Sequence, residues 1–87
     1  MKKFSAKIIV KMKPTIKDIR GLTLKRAIES FIGIENLSCN VGNYYLLKFE
    51  AKNEIEALHT VEKIAGEILS NEVIETYEIK ALEEINE

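Results

Sequence analysis

From Lys3 to Met12 the chain alternates: Phe4, Ala6, Ile8, Val10 and Met12 fall on one side, Ser5, Lys7, Ile9 and Lys11 on the other. A period of two is that of a strand with one buried face. Pro14 ends it, because proline has no N–H for the ladder. The period then changes. Leu24, Ala27, Ile28 and Phe31 recur at helical spacing between about Asp18 and Ile32, which predicts an amphipathic helix. Asp18 suits its N-cap and Gly33 its stop, while Gly21 predicts an irregular first turn.

Alternation returns twice after Gly33. Leu37, Cys39 and Val41 alternate with Ser38 and Asn40, and Tyr45, Leu47, Phe49 and Ala51 alternate with Tyr44, Leu46, Lys48 and Glu50. Gly42 and Asn43 lie between them as a turn signal, so the stretch predicts a β-hairpin. From Asn53 to Leu69 the helical period is clearest. Asn53 and Glu56 form a capping-box variant, and Ala57, Val61, Ile64, Ala65 and Ile68 line one face. Ser70 and Asn71 end it. A last strand is expected from Val73 to Leu82, with Tyr77, Ile79 and Ala81 on one side. The order β-α-β-β-α-β predicts an α+β, ferredoxin-like fold, a four-stranded antiparallel sheet with both helices on one face. One domain is expected over residues 1–82, followed by a polar tail at 83–87.

In that arrangement the second sheet face stays open. Ile9, Tyr44 and Leu46 are expected there, with Ile74 near them, and a cluster so apolar predicts self-association or a partner. An 87-residue chain buries only a modest core, which also favours oligomerisation. The net charge of −1, with both signs interspersed, argues against general nucleic-acid binding. One cysteine, Cys39, forms no internal disulfide and fits a small buried side chain in a reducing compartment. Lys7 and Lys11 break the first apolar run below signal-peptide length, and no run reaches membrane-spanning length, so a cytoplasmic location is expected.

No catalytic constellation emerges. His59, the one histidine, lies beside the apolar stripe of the second helix with no second His or Cys at ligand spacing, so no catalytic residue and no metal are expected. Glu54, Glu56, Glu62 and Glu67 read as a solvated helix face. The basic stretch from Lys13 to Ile28 precedes a helix, where anions bind, but its single glycine matches neither phosphate-binding fingerprint. An RNA-recognition module needs aromatics on its central strands, and the open face supplies Tyr44 alone.

Three stretches together resemble the PurS family, the small subunit of phosphoribosylformylglycinamidine synthase. They are KPTIKDIRGLTLKRAIESFIG, NVGNYYLLKFEA and ILSNEVIETYEI. Asp18 and Gly21 match the family's D-P-Q-G, with Ile19 and Arg20 in place of Pro and Gln. Asn43 stands where Lys is usual, and Glu72 replaces the proline after Asn71. The resemblance implies a non-catalytic subunit in purine biosynthesis that bridges the large synthetase subunit PurL and the glutaminase subunit PurQ and supports ammonia transfer. It implies a homo-oligomer, dimer or tetramer, with no cofactor in this chain although the complex uses ATP, Mg and glutamine. Partner contacts are expected at Lys13, Asp18 and Gly21, at Gly42 and Asn43, and at Asn71, Val73, Ile74 and Glu75. The reading from another class is a small-molecule-binding regulatory domain of the same topology.

Overall fold

The computed structural model describes residues 1–86. Strand β1 spans Lys2–Met12, helix α1 Ile19–Ile32, strand β2 Gly42–Ala51, helix α2 Glu54–Ile64 and strand β3 Glu75–Ile85. The sheet is antiparallel in the order β2-β1-β3. This is the ferredoxin-like frame without its fourth strand.

The alternation of β1 acts as expected. Phe4, Ala6, Ile8 and Val10 are buried under α2, which contributes Ala57 and Val61, and under Ala65 just past its end, and Tyr45, Leu47 and Phe49 of β2 pack around them. The rings of Phe4 and Phe49 stack with centroids 6.2 Å apart. Asn53 caps α2, its side chain accepting the Glu56 N–H at 2.9 Å.

Two phase changes alter which side chains face the core. Past Ile64 the helix widens into a π-helical turn, Ala65–Leu69, closed by the Ser70 N–H and hydroxyl on the Ala65 carbonyl at 3.0 and 2.7 Å. The extra residue in that turn rotates the stripe. Leu69 packs on the core, and Ile68, expected there, is 75% exposed. In β3 a bulge between Lys7 and Ile8 of the β1 register leaves Ile79 opposite Ile8 but Ala81 opposite Lys7. Adding one residue to a period of two flips the faces. Leu82 therefore takes the core position and Ala81 turns to the open face. The strand also runs on to Ile85, with Glu83 opposite Ser5, so the expected tail at 83–87 is a strand for its first three residues, and its last lies outside the described residues.

The predicted hairpin is absent. Residues 33–41 form no strand, so the sheet has three strands and not four. The cause is competition from α1. Two of its carboxylates take the backbone amides that a ladder would have used: Val41 N–H donates to Asp18 Oδ2 at 2.8 Å, and Leu37 N–H donates to Glu29 Oε2 at 3.1 Å. Asn36, at φ 60, turns the chain back so that it straps along the helix.

The second departure concerns α1 itself. Its cap is as predicted, with the Gly21 N–H donating to Asp18 Oδ1 at 2.8 Å and Gly33 in the left-handed conformation at the end. It does not cover the sheet beside α2, however. Gly21 is its only buried residue, and the stripe of Leu24, Ile28 and Phe31 faces solvent. Helix and strap form an arm that projects from one end of the sheet, giving the chain extents of 52 × 29 × 14 Å. An 11-residue strand accounts for only about 36 Å of that length.

Candidate docking surface

The end of the sheet from which the arm departs gathers most of the residues predicted to meet partners. Lys11 of β1 lies opposite both Gly42 of β2 and Thr76 of β3, and Met12 lies opposite Glu75. One step further, the Lys13 N–H donates to the Ile74 carbonyl at 2.9 Å. Lys13, Gly42, Asn43, Ile74 and Glu75, scattered over more than sixty positions, thus share one edge of the molecule. Asp18 and Gly21 sit at the root of the arm, tied to this end through Val41.

The turn before β3 is built to present an apolar tip. Asn71 Oδ1 accepts the Val73 N–H at 3.0 Å, and Glu75 Oε1 accepts the Asn71 N–H at 2.8 Å. The Asn71 carbonyl takes the N–H groups of Ile74 and Glu75 at 3.1 and 2.7 Å. This Asx turn fixes the loop with no proline, Glu72 following Asn71. With the backbone satisfied internally, Val73 stands 74% exposed in the loop, one residue before the Ile74 carbonyl that accepts from Lys13. An apolar tip inside a rim of mixed charge is the chemistry of a docking surface.

Gly42 is not a turn glycine, as the hairpin reading required. It begins β2, where a Cβ would lie 2.7 Å from the Val10 carbonyl oxygen, so close strand approach explains the residue. Asn43 donates from Nδ2 to the Tyr45 hydroxyl at 3.4 Å. Ile9, Tyr44 and Leu46 do share the open sheet face: Ile9 lies opposite Tyr44 and Lys7 opposite Leu46. Lys3, Lys7 and Lys11 run up the centre of that face, so its apolar residues flank a cationic ridge.

The electrostatics of the arm come from its two strapping carboxylates. Hydrogen bonds from the Val41 and Gly21 amides hold the Asp18 carboxyl below its usual range. Glu29 is lowered by the Leu37 amide and by Lys25, whose ammonium lies 3.3 Å away. Both were missed as organising residues. Asp18 is legible only as a cap, and Glu29 looks like any helix-surface acid. Gly21 has its own reason: the Cys39 carbonyl crosses so near that any Cβ would collide with it. The same carboxylate answers the question of the basic stretch, because Asp18 already occupies the N-terminus of α1, where an anion would sit.

His59 lies on the outer side of α2 beside Ile55, Glu56 and Lys63. Among the described residues no group of three His, Cys, Asp or Glu side chains is placed to hold a metal. None of the described helices is long and apolar enough to cross a membrane.

Comparison with known proteins decides the family. The family model PurS, described as phosphoribosylformylglycinamidine (FGAM) synthase, matches residues 5–83. The chain belongs to the PurS family. The family is a subunit of FGAM synthase in purine biosynthesis. The PurS subunit of Thermotoga maritima is 32% identical over 79 residues, covering 91% of this chain and 96% of that one. The PurS subunit of a Synechocystis species is 30% identical over 83 residues, covering 92% and 82%. Among solved structures, Thermus thermophilus PurS superposes with a TM-score of 0.84 at 26% identity, covering 97% of this chain and 99% of its own. A chain of the Thermotoga maritima PurLQS structure does so at 0.83 and 30% identity, covering 98% and 100%. Those structures extend over the arm as well as the sheet, so the projecting α1 falls within the shared PurS architecture.

Proposed function

We propose that this chain is the bridging, non-catalytic subunit of an FGAM synthase, a ligase complex of the cytoplasm that uses ATP, Mg and glutamine. In this reading it works as a homo-oligomer. It docks a PurL synthetase subunit and a PurQ glutaminase subunit and holds them in register, so that ammonia released by one reaches the other without meeting bulk water. It holds no cofactor of its own. The observation that carries the reading is the likeness, over 98% of this chain, to a chain of the Thermotoga maritima PurLQS structure. The clustered end supports it: Lys13, Gly42, Asn43, Asn71, Val73, Ile74 and Glu75 form one surface around an exposed apolar tip, with Asp18 and Gly21 anchoring the arm beside it.

The test is reconstitution. Synthetase and glutaminase subunits are assayed for glutamine-dependent FGAM formation with and without this chain, and their co-purification with it is measured. The reading expects synthesis to need the chain. Undiminished glutamine-dependent synthesis in its absence would end the reading.

A further inference from the structure

Counted by segment, the charges are less mixed than a net of −1 suggests. Residues 1–28 carry nine Lys or Arg against one Asp, and residues 29–87 carry four Lys against thirteen Glu. Charge divided this sharply within one domain gives the basic half an attraction for anions. The fold decides where that attraction can act. On the open sheet face it is answered by neighbouring strands: Lys3 lies opposite Glu50, Ser5 opposite Glu83 and Ile9 opposite Glu78. At the root of the arm it is not.

There α1 and the strap enclose a groove of about 470 Å³, within the roughly 300–1,000 Å³ of small-molecule sites. Lys17, Lys25, Ser38 and Asn40 give it polar walls, and Leu22 and Leu37 an apolar one. A second hollow of about 250 Å³ shares Asp18 and Asn40 with the first and is lined also by Lys11. Three lysines thus line the two hollows against one acid, an excess of two positive charges. Both oxygens of that acid, Asp18, are already taken by the Gly21 and Val41 amides. The helix terminus itself is closed by this cap and plays no part. Among the described residues Lys11 and Lys17 form no ion pair, and the Ser38 hydroxyl and the Asn40 side-chain amide make no hydrogen bond, so these donors are open to a ligand.

We propose that this groove binds a phosphorylated metabolite the size of a nucleoside monophosphate, its phosphate among Lys11, Lys17 and Lys25 and its apolar part on Leu22 and Leu37. A phosphate monoester carries a charge of about −2 at neutral pH, which matches the excess, and its oxygens accept from Ser38 and Asn40. Lys11 belongs to β1, Lys25 to α1, and Ser38 and Asn40 to the strap. One bound phosphate therefore ties sheet, helix and strap together and stiffens the root of the arm. The inference goes beyond the assembly reading and does not rest on it.

The full chain is titrated with AMP, inorganic phosphate and adenosine while its amides are followed by NMR. AMP is expected to shift the Ser38, Cys39 and Asn40 amides and to bind more tightly than phosphate, with no binding of adenosine. At ten times its dissociation constant AMP should slow exchange of the Val41 amide by about tenfold, since the opened strap has no site. Lys17→Glu, at an exposed position, should weaken AMP binding by about tenfold or more. Lys7→Glu, on the open face outside the groove, should weaken it by less than about threefold, because solvent and salt screen a distant charge. No amide shift at about 10 mM AMP, shifts confined to another surface, phosphate or adenosine binding as tightly as AMP, or equal losses in the two lysine variants would each overturn the site. None of these outcomes bears on whether glutamine-dependent synthesis needs the chain, so the groove and the assembly reading fail separately.

Discussion

Gly21→Ala sets two principles against each other with opposite signs. In an ordinary helix interior, alanine in place of glycine stabilises by about 1 kcal/mol. Here the added Cβ would lie 2.8 Å from Asp18 Oδ2 and would run into the Cys39 carbonyl. The obstacle is backbone, so it cannot swing aside as the end of a flexible side chain does. The strap must lift, and overpacking of this kind costs about 1–3 kcal/mol. With a collision against main chain at the upper end of that range, the net change is a loss of about 2 kcal/mol, about 30-fold in the unfolding constant. For a domain of this size that lowers the melting temperature by about 8–16 °C. Because the arm stands off the core, local opening should add to this loss, with amide exchange at Leu37 and Val41 accelerated at least as much as the about 30-fold drop in protection expected in β1. The assay is urea unfolding followed by circular dichroism at fixed protomer concentration, with residue-resolved hydrogen exchange beside it. A Gly21→Ala chain that gains about 1 kcal/mol with Val41 still protected would refute the strap.

Further outcomes follow from the same contacts. Ile8→Ala opens a cavity in a fully buried site and should cost about 2–5 kcal/mol in denaturant unfolding, enough to bring this small core near its limit. Asp18 has a lowered pKa in the fold, so its contribution is complete above the unfolded value of 3.8 and is lost as pH falls through the lower folded value; an NMR titration followed at the Val41 amide proton should have its midpoint below pH 3.8. Lys25→Ala removes a surface ion pair and should change stability by less than about 1 kcal/mol. Val73→Asp should leave the melting temperature unchanged while weakening capture of the synthetase or glutaminase subunit by about tenfold or more, measured by co-purification.

What the sequence revealed depended on how local the controlling interaction was. The buried face of β1, both helix caps and the core set of β2 rest on period and neighbouring residues, and they stand in the structure as the pattern implied. The errors share one cause, an interaction between distant residues that changes local phase or pairing. Leu37–Val41 alternates like a strand, yet Asp18, twenty-three positions away, claims its amide. Tyr77, Ile79 and Ala81 alternate on paper, but the bulge against Lys7 and Ile8 moves Ala81 to the other face. Ile68 lies on the stripe at 3.6 residues per turn and leaves it once the last turn widens. The stripe of α1 is apolar as the period implied but does not pack on the sheet, because periodicity marks an apolar face without fixing what it meets. The proposed docking residues come from family motifs alone; their convergence on one end comes from the antiparallel register that sets Lys11 beside Gly42 and Thr76.

The central claim is that this chain acts by joining two enzymes rather than by chemistry of its own. Glutamine-dependent FGAM synthesis by the synthetase and glutaminase subunits, measured with this chain present and absent, tests that most directly. The account predicts that synthesis from glutamine falls away without the chain while synthesis from added ammonia persists, since only the transfer between sites is lost. Equal glutamine-dependent rates with and without it would contradict the account.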